Sequence, residues 1–259
     1  MLLLPLLALA VAAGPPCGLP PRASGPLPWS TGETLTYDLD LLGMVQAGTL
    51  ELSVEPPMSG GRVVPLRARA RTDASVAALR NVRAVGLSWI DARSLLPERY
   101  RDEAVEDGVR KTSDTRLAPA APEVTISYRL GTRDGKATHP RRGEVLDPLS
   151  GLFLLRAARL SPGDAFCFDL VGNRRLWRLE GSVAPRVEVV ETPAGRLETI
   201  RIDALARRAD AATGRPRPLH LWISTDPRRL LVAAVSELDV GPVRATLTAA
   251  RGTRRADPR

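Results

Sequence analysis

The sequence predicts a mainly β protein: one strongly curved antiparallel sheet, open or closed into a barrel-like or sandwich domain, with one short helix. Three observations predict it. Apolar and polar residues alternate with a period of two through most of the chain, as in strands with one dry face. Gly and Asp-Gly punctuation separates these runs at hairpin spacing. A single segment switches to helical spacing.

The strands come in order. Leu35, Tyr37, Leu39 and Leu41 alternate with Thr34, Thr36, Asp38 and Asp40. Gly43 to Gly48 reads as turn material, and Leu50, Leu52 and Val54 resume the alternation as the second arm of an opening hairpin. Val64, Leu66, Ala68 and Ala70 alternate with Arg67, Arg69 and Arg71. Asp73 to Leu79 is a candidate short helix. Val82 to Ile90 and Pro97 to Val105 follow as strands. Glu106-Asp107-Gly108 turns the chain, because Asp-Gly accepts the positive φ of a tight hairpin. Val109 to Leu117 returns, and the Val124, Ile126, Tyr128 strand is expected to end at a second turn, Asp134-Gly135.

The helix is expected over Pro148 to Leu160. Asp147 is a good N-cap and Pro148 suits the first helical position. Leu149, Leu152, Phe153 and Arg156 recur at helical spacing, and Ser161-Pro162-Gly163 stops it. Strands resume over Phe166–Val171, Leu176–Val183, Val187–Glu191, Leu197–Ala206, Leu219–Ser224, Leu230–Leu238 and Val243–Ala249, about a dozen in all.

The domain plan follows. Residues 1–13 read as a signal peptide: Leu2 to Ala13 is an apolar run too short to span a bilayer, ending in small residues. Residues 14–30 are a Pro/Gly-rich tether, 31–250 a single β domain, and 251–259 a basic, disordered tail. The expected location is the periplasm. Cys17 is not in a lipobox, since Pro16 and Gly14 stand where a small residue and a Leu-like residue belong. No internal stretch reaches the about 20 apolar residues of a spanning helix.

The formal net charge is +8, and Lys111 and Lys136 are the only lysines. The arginines are spread along the chain, as on a solvated surface. No zinc finger, RNA-binding aromatic motif or basic recognition helix points to nucleic acid. Two cysteines, Cys17 and Cys167, make one candidate disulfide, worth roughly 5 kcal/mol in the chain-entropy model for so long a loop. No metal or cofactor is expected.

No catalytic constellation emerges. Gly131 to Ala137 lacks the length and the terminal Ser or Thr of a phosphate loop and reads as a hairpin turn. Ser150 sits in the first turn of the capped helix, with only His139 and His220 as conceivable bases. Asp102, Glu103, Glu106 and Asp107 cluster at a hairpin tip, where a solvated turn explains them. Trp29, Trp89, Trp177 and Trp222 fill a core by default. Trp89, Trp177, His220 and Trp222 are the candidate ligand-binding residues.

The punctuation resembles a bacterial family, domain of unknown function 3108. The resemblance rests on Gly32-Glu33 with Leu35 and Tyr37, then Gly43 and Gly48. It continues in Asp147-Pro148-Leu149-Ser150-Gly151-Leu152 with Arg156, then Gly163-Asp164. Thr192-Pro193-Ala194-Gly195, Leu221-Trp222-Ile223-Ser224-Thr225-Asp226, Arg228-Arg229 and Gly241 complete it, over residues 32 to 248. Leu231 stands where the family commonly has proline, and the cysteines lie outside the pattern. The resemblance implies an exported envelope component of Gram-negative bacteria and carries over no catalytic residue or ligand. The leading expectation is a non-catalytic binding or carrier module for a lipid or other apolar ligand. The alternatives are an assembly partner of envelope proteins or polysaccharide, and a glycan or cell-wall hydrolase.

Overall fold

The computed structural model describes residues 18–253, except 42, 44, 79, 120, 212, 239, 240 and the side chain of Leu238. The expected signal peptide, residues 14–17 of the tether and residues 254–259 of the tail lie outside the described residues.

Among the described residues, fifteen strands form one sheet around one α-helix. The strands are β1 (Thr34–Leu41), β2 (Val45–Val54), β3 (Val63–Thr72), β4 (Val82–Asp91), β5 (Pro97–Glu106), β6 (Val109–Arg116), β7 (Glu123–Leu130), β8 (Arg133–Pro140) and β9 (Val145–Leu146). Helix α1 (Pro148–Ala157) follows, then β10 (Ala165–Gly172), β11 (Arg175–Thr192), β12 (Gly195–Arg208), β13 (Arg217–Ser224), β14 (Leu231–Leu238) and β15 (Gly241–Arg251). The order across the sheet is β8-β7-β6-β5-β4-β3-β2-β1-β15-β14-β13-β12-β11-β10-β9. The two halves are meanders that meet where β1 pairs with β15, and only the β9–β10 pair is parallel.

The sheet is strongly curved and not closed by hydrogen bonds: β8 and β9 are its two edges. Residues 141–144 carry the chain from one edge to the other. Side chains fill the seam. Phe166 and Phe168 of β10 belong to the main core, yet Val171 and Leu176 pack in a second cluster with Tyr100, Val124, Ile126 and Val145. The β9–β11 end therefore tucks against the inner face of β5–β7.

The alternation places most strands correctly, and the departures have local causes. β2 begins at Val45, so part of the expected Gly43–Gly48 turn is strand, with Gly48 at a bulge opposite Leu39. The segment 73–78 is hydrogen-bonded turn, Val76 and Ala77 both donating to Asp73 O at 3.1 and 3.0 Å and Arg80 N to Val76 O at 3.1 Å, and not the short helix expected there. The β7–β8 turn falls at Gly131, φ +58°, not at Asp134-Gly135. Gly135 lies inside β8 because a Cβ there would sit 2.4 Å from the Tyr128 ring.

The expected Leu176–Val183 and Val187–Glu191 strands are one long strand, β11, irregular between Val183 and Val187 where Pro185 cannot donate to a ladder. β8 and β9 were not expected as strands at all.

Helix α1 ends at Ala157, three residues before the expected Leu160. The chain at 21–23 takes over there: Ala23 N donates to Ala157 O and Arg159 N to Pro21 O, both at 2.9 Å. The described part of the tether thus lies on the domain. Trp29 is buried, edge-on to Phe153 at 4.9 Å between centroids.

Candidate functional site

A cleft of about 610 Å³ opens on the inner face of β3–β6. Register creates it. One cross-strand row runs Ala68, Gly86, Asp102, Ser113, and the next runs Ala70, Ala84, Ala104, Lys111. Five of these eight positions carry a methyl group or nothing, so the inner face is hollow where other strands supply Leu, Ile or Phe. Leu149 of α1 closes one side and the β10–β11 tip, Asn173 and Arg174, another.

Polar groups sit at the bottom. Ser113 Oγ donates to Asp102 Oδ1. Burial pushes the Asp102 carboxyl above its usual range, while the Ser113 hydrogen bond and the Arg174 charge oppose that shift. Tyr100, 8% exposed, sits two residues before Asp102 on the same face. Its hydroxyl has no hydrogen-bond partner among the described residues and lies over Gly86, where a Cβ would come within 3.5 Å of it. Burial, reinforced by Asp102 and Asp147, pushes this phenol up.

The rim is basic but largely engaged. Arg80 and Lys111 both pair with Glu106. The Arg174 guanidinium lies 5.3 Å from the Tyr128 ring centroid. Arg174 and Asn173 hold φ of +61° and +49°, the double left-handed turn a two-residue hairpin needs. An arginine there is strained, and its side chain is on the lining of the cleft.

None of the four candidate binding residues lines this cleft. Trp89 lies on the outer face under Arg99, whose guanidinium carbon is 5.2 Å from its centroid. His220 and Trp222 come together on the outer face of β13: His220 Nδ1 is 2.6 Å from Asp203 Oδ1, and Trp222 Nε1 donates to Glu188 Oε2 at 2.8 Å. Trp177 sits at one end of the inner face, approached by Arg208 and Arg217. Cys167 is on β10, where its N–H donates to Gly18 O at 3.2 Å; Cys17 lies outside the described residues.

Sequence reasoning placed Asp102 at a solvated tip and missed Tyr100. A carboxylate in phase with Tyr100 and Ala104, opposite Gly86, was the available signal.

Ser150 belongs to the helix cap. Its Oγ donates to Asp147 Oδ2 at 2.9 Å, and neither histidine is among its hydrogen-bond partners. Among the described residues, no three His, Cys, Asp or Glu side chains group as metal ligands, and no helix is long and apolar enough to cross a membrane.

Fold and cleft together define an open, barrel-like β domain with one helix. The chain belongs to the family described as protein of unknown function DUF3108, whose model matches residues 36–248. Among solved structures it resembles a beta-barrel-like protein of domain of unknown function DUF1849 from Brucella abortus. That match has 12% identity and a TM-score of 0.56, covering 85% of this chain and 97% of the other. A candidate lipoprotein from Parabacteroides distasonis matches at 10% identity and TM-score 0.37, over 92% of this chain and 100% of its own. No curated protein matches.

Proposed function

We propose that this protein is an exported, non-catalytic binding or carrier module of the bacterial envelope, and that its ligand is amphipathic and seats in the β3–β6 cleft. One observation carries the reading: a cavity of about 610 Å³ floored by Ala and Gly, with Tyr100 and the hydrogen-bonded Asp102–Ser113 pair on its lining. Ligand sites of this kind are concave, mostly apolar and equipped with a few placed polar groups. A methyl-paved floor accepts an apolar body, and Tyr100, Asp102 and Ser113 orient a polar end. The N-terminal apolar run supports export, and the capped, engaged Ser150 supports a role without nucleophilic chemistry.

Native mass spectrometry of protein taken from its own periplasm tests this. The expected result is a mature chain lacking residues 1–13 with a small amphiphile bound. Substituting Ala84→Leu and Ala104→Leu fills the cleft and is expected to abolish that adduct while the fold is kept. An adduct that survives the filled cleft places the ligand elsewhere.

A further inference from the structure

We infer that the polar end of the cleft reads an uncharged, hydroxyl-bearing headgroup, such as a saccharide, rather than an anionic or cationic one. This rests on the cleft being the ligand site. The reading comes from what each polar group has left to offer. The Asp102 carboxylate accepts from Ser113 Oγ and from its own backbone N–H, two donors for an acceptor with about four lone-pair sites. Tyr100 and Asp102 lie two residues apart on one strand face, and across from Asp102 stands Gly86, whose missing side chain makes room for the Tyr100 hydroxyl and Leu149. The site therefore presents an acceptor-only carboxylate beside a phenol that can donate or accept. Neighbouring hydroxyls on a ring satisfy both at once: one donates to the carboxylate, the next exchanges a hydrogen bond with the phenol.

Charge argues against the other headgroups. A phosphate or sulfate at this depth would face Asp102 in a poorly solvated site. Of the four cations on the lining, Arg80 and Lys111 pair with Glu106 and Arg174 lies in the field of Asp102, which leaves Arg175 against the lining carboxylates Asp102 and Glu103. An ammonium would meet Asp102 favourably but would share that carboxylate with Arg174, which already lies in its field, and with Arg175 on the same lining. A neutral polyol meets neither repulsion. The methyl floor of Ala68, Ala70, Ala84 and Ala104 then takes the apolar part.

The test uses three probes with one chain length: octyl β-D-glucoside, octyl sulfate and octyltrimethylammonium. Each is titrated calorimetrically into the mature protein below its micelle concentration. Octyl glucoside is expected to bind at least about tenfold more tightly than the other two, the magnitude of one or two hydrogen bonds to a charged group. Asp102→Asn and Tyr100→Phe, each checked for an unchanged near-ultraviolet spectrum, are expected to weaken it by at least about tenfold.

Equal or tighter binding of octyl sulfate or octyltrimethylammonium overturns the headgroup assignment. So does octyl glucoside affinity that is undetectable in the parent protein or unchanged in both variants. The filled-cleft variant separates the two readings. If it abolishes binding of any probe while Asp102→Asn does not, only the headgroup assignment falls. If it leaves octyl glucoside binding intact, the cleft itself is not the site.

Discussion

Arg156 Nη1 donates to Glu33 Oε1 at 2.7 Å in a pair whose side chains are 0% and 1% exposed. The rest of the guanidinium is also engaged: Nε donates to Arg229 O at 2.9 Å and Nη2 to Arg228 O at 3.2 Å. Rings of Trp29 and Phe153 cover it. One arginine thus ties α1 to the entry of β1 and to the β13–β14 connection. Removing it strands a buried carboxylate, which typically costs about 3–5 kcal/mol. Arg156→Met is expected to lower stability by that amount at pH 7 in urea unfolding. Burial already holds the Glu33 carboxyl above its usual range. Protonation should therefore restore part of the loss at pH 5, and Arg156→Met with Glu33→Gln should restore it at both pH values. A loss that is the same at both pH values would show that the charge is not the cause.

Asp147 gives a second pH signature. Its carboxylate accepts from Leu149 N, Ser150 N, Ser88 Oγ and Ser150 Oγ, yet complete burial outweighs them and pushes its pKa up to about 6. A folded pKa above the unfolded value means the native state binds the proton more tightly. The stabilisation is present below about pH 4 and is lost as pH rises toward about 6. Asp147→Asn keeps a good capping side chain but no longer titrates. The melting temperature of the Asn variant relative to the parent should therefore rise between about pH 4 and 6 and level off above. A relative melting temperature that falls over that range would contradict the burial argument.

Arg174 is expected to separate binding from stability. Its φ of +61° suits glycine, so Arg174→Gly relieves backbone strain of order 1 kcal/mol while deleting the group that faces Asp102. Thermal melts should show an unchanged or higher midpoint. The Asp102 carboxyl should titrate higher, as followed by carboxyl NMR, because an opposing charge is gone.

Gly48 tests the bulge in β2. A Cβ there would lie 2.2 Å from Arg71 O, a backbone atom of the neighbouring strand that cannot swing aside. Gly48→Ala is expected to destabilise by at least about 1–3 kcal/mol in denaturant unfolding, as overpacking does. Gly18→Ala, whose Cβ meets nothing within 4 Å, is the control expected to be near neutral.

If the chain is exported as proposed, a Cys17–Cys167 bridge is expected, and the Cys167 N–H bonded to Gly18 O holds Gly18 against β10. Intact mass under non-reducing conditions should be two hydrogen masses below that of the reduced chain. Cys167→Ser should lower the melting midpoint in air but not in reductant. An unchanged mass on reduction would dismiss the bridge.

The fold was readable where one face is wet and one dry. Leu35 and Tyr37 against Thr34 and Asp38, or Leu221 and Ile223 against His220 and Trp222, announce their faces by chemistry alone. β8 was not readable because its inward residues are Gly135, Ala137 and His139, none of them a large apolar residue to set that face apart from Asp134, Lys136 and Thr138. The cleft was hidden for the same reason. Ala68, Ala84 and Ala104 mark alternation without saying that space, rather than a partner side chain, lies above them. Asp102 read as solvent-facing because its burial depends on Ser113 and on the tucked β10–β11 end, contacts between strands far apart in sequence. The tryptophans misled differently: the size of an indole makes the core its default, yet Trp89 and Trp222 hold outer-face positions beside arginine or carboxylate partners.

The pairing of Thr34 with Arg251 sets the order of assembly. The first strand cannot acquire its second neighbour until the fifteenth has been made, so the meanders can form early but the sheet joins last. Such long-separation closure is slow to nucleate. A chain delivered as an unfolded thread through a narrow translocation pore loses nothing by this delay, whereas a vectorial folder in the cytosol would expose half a sheet edge for most of its synthesis.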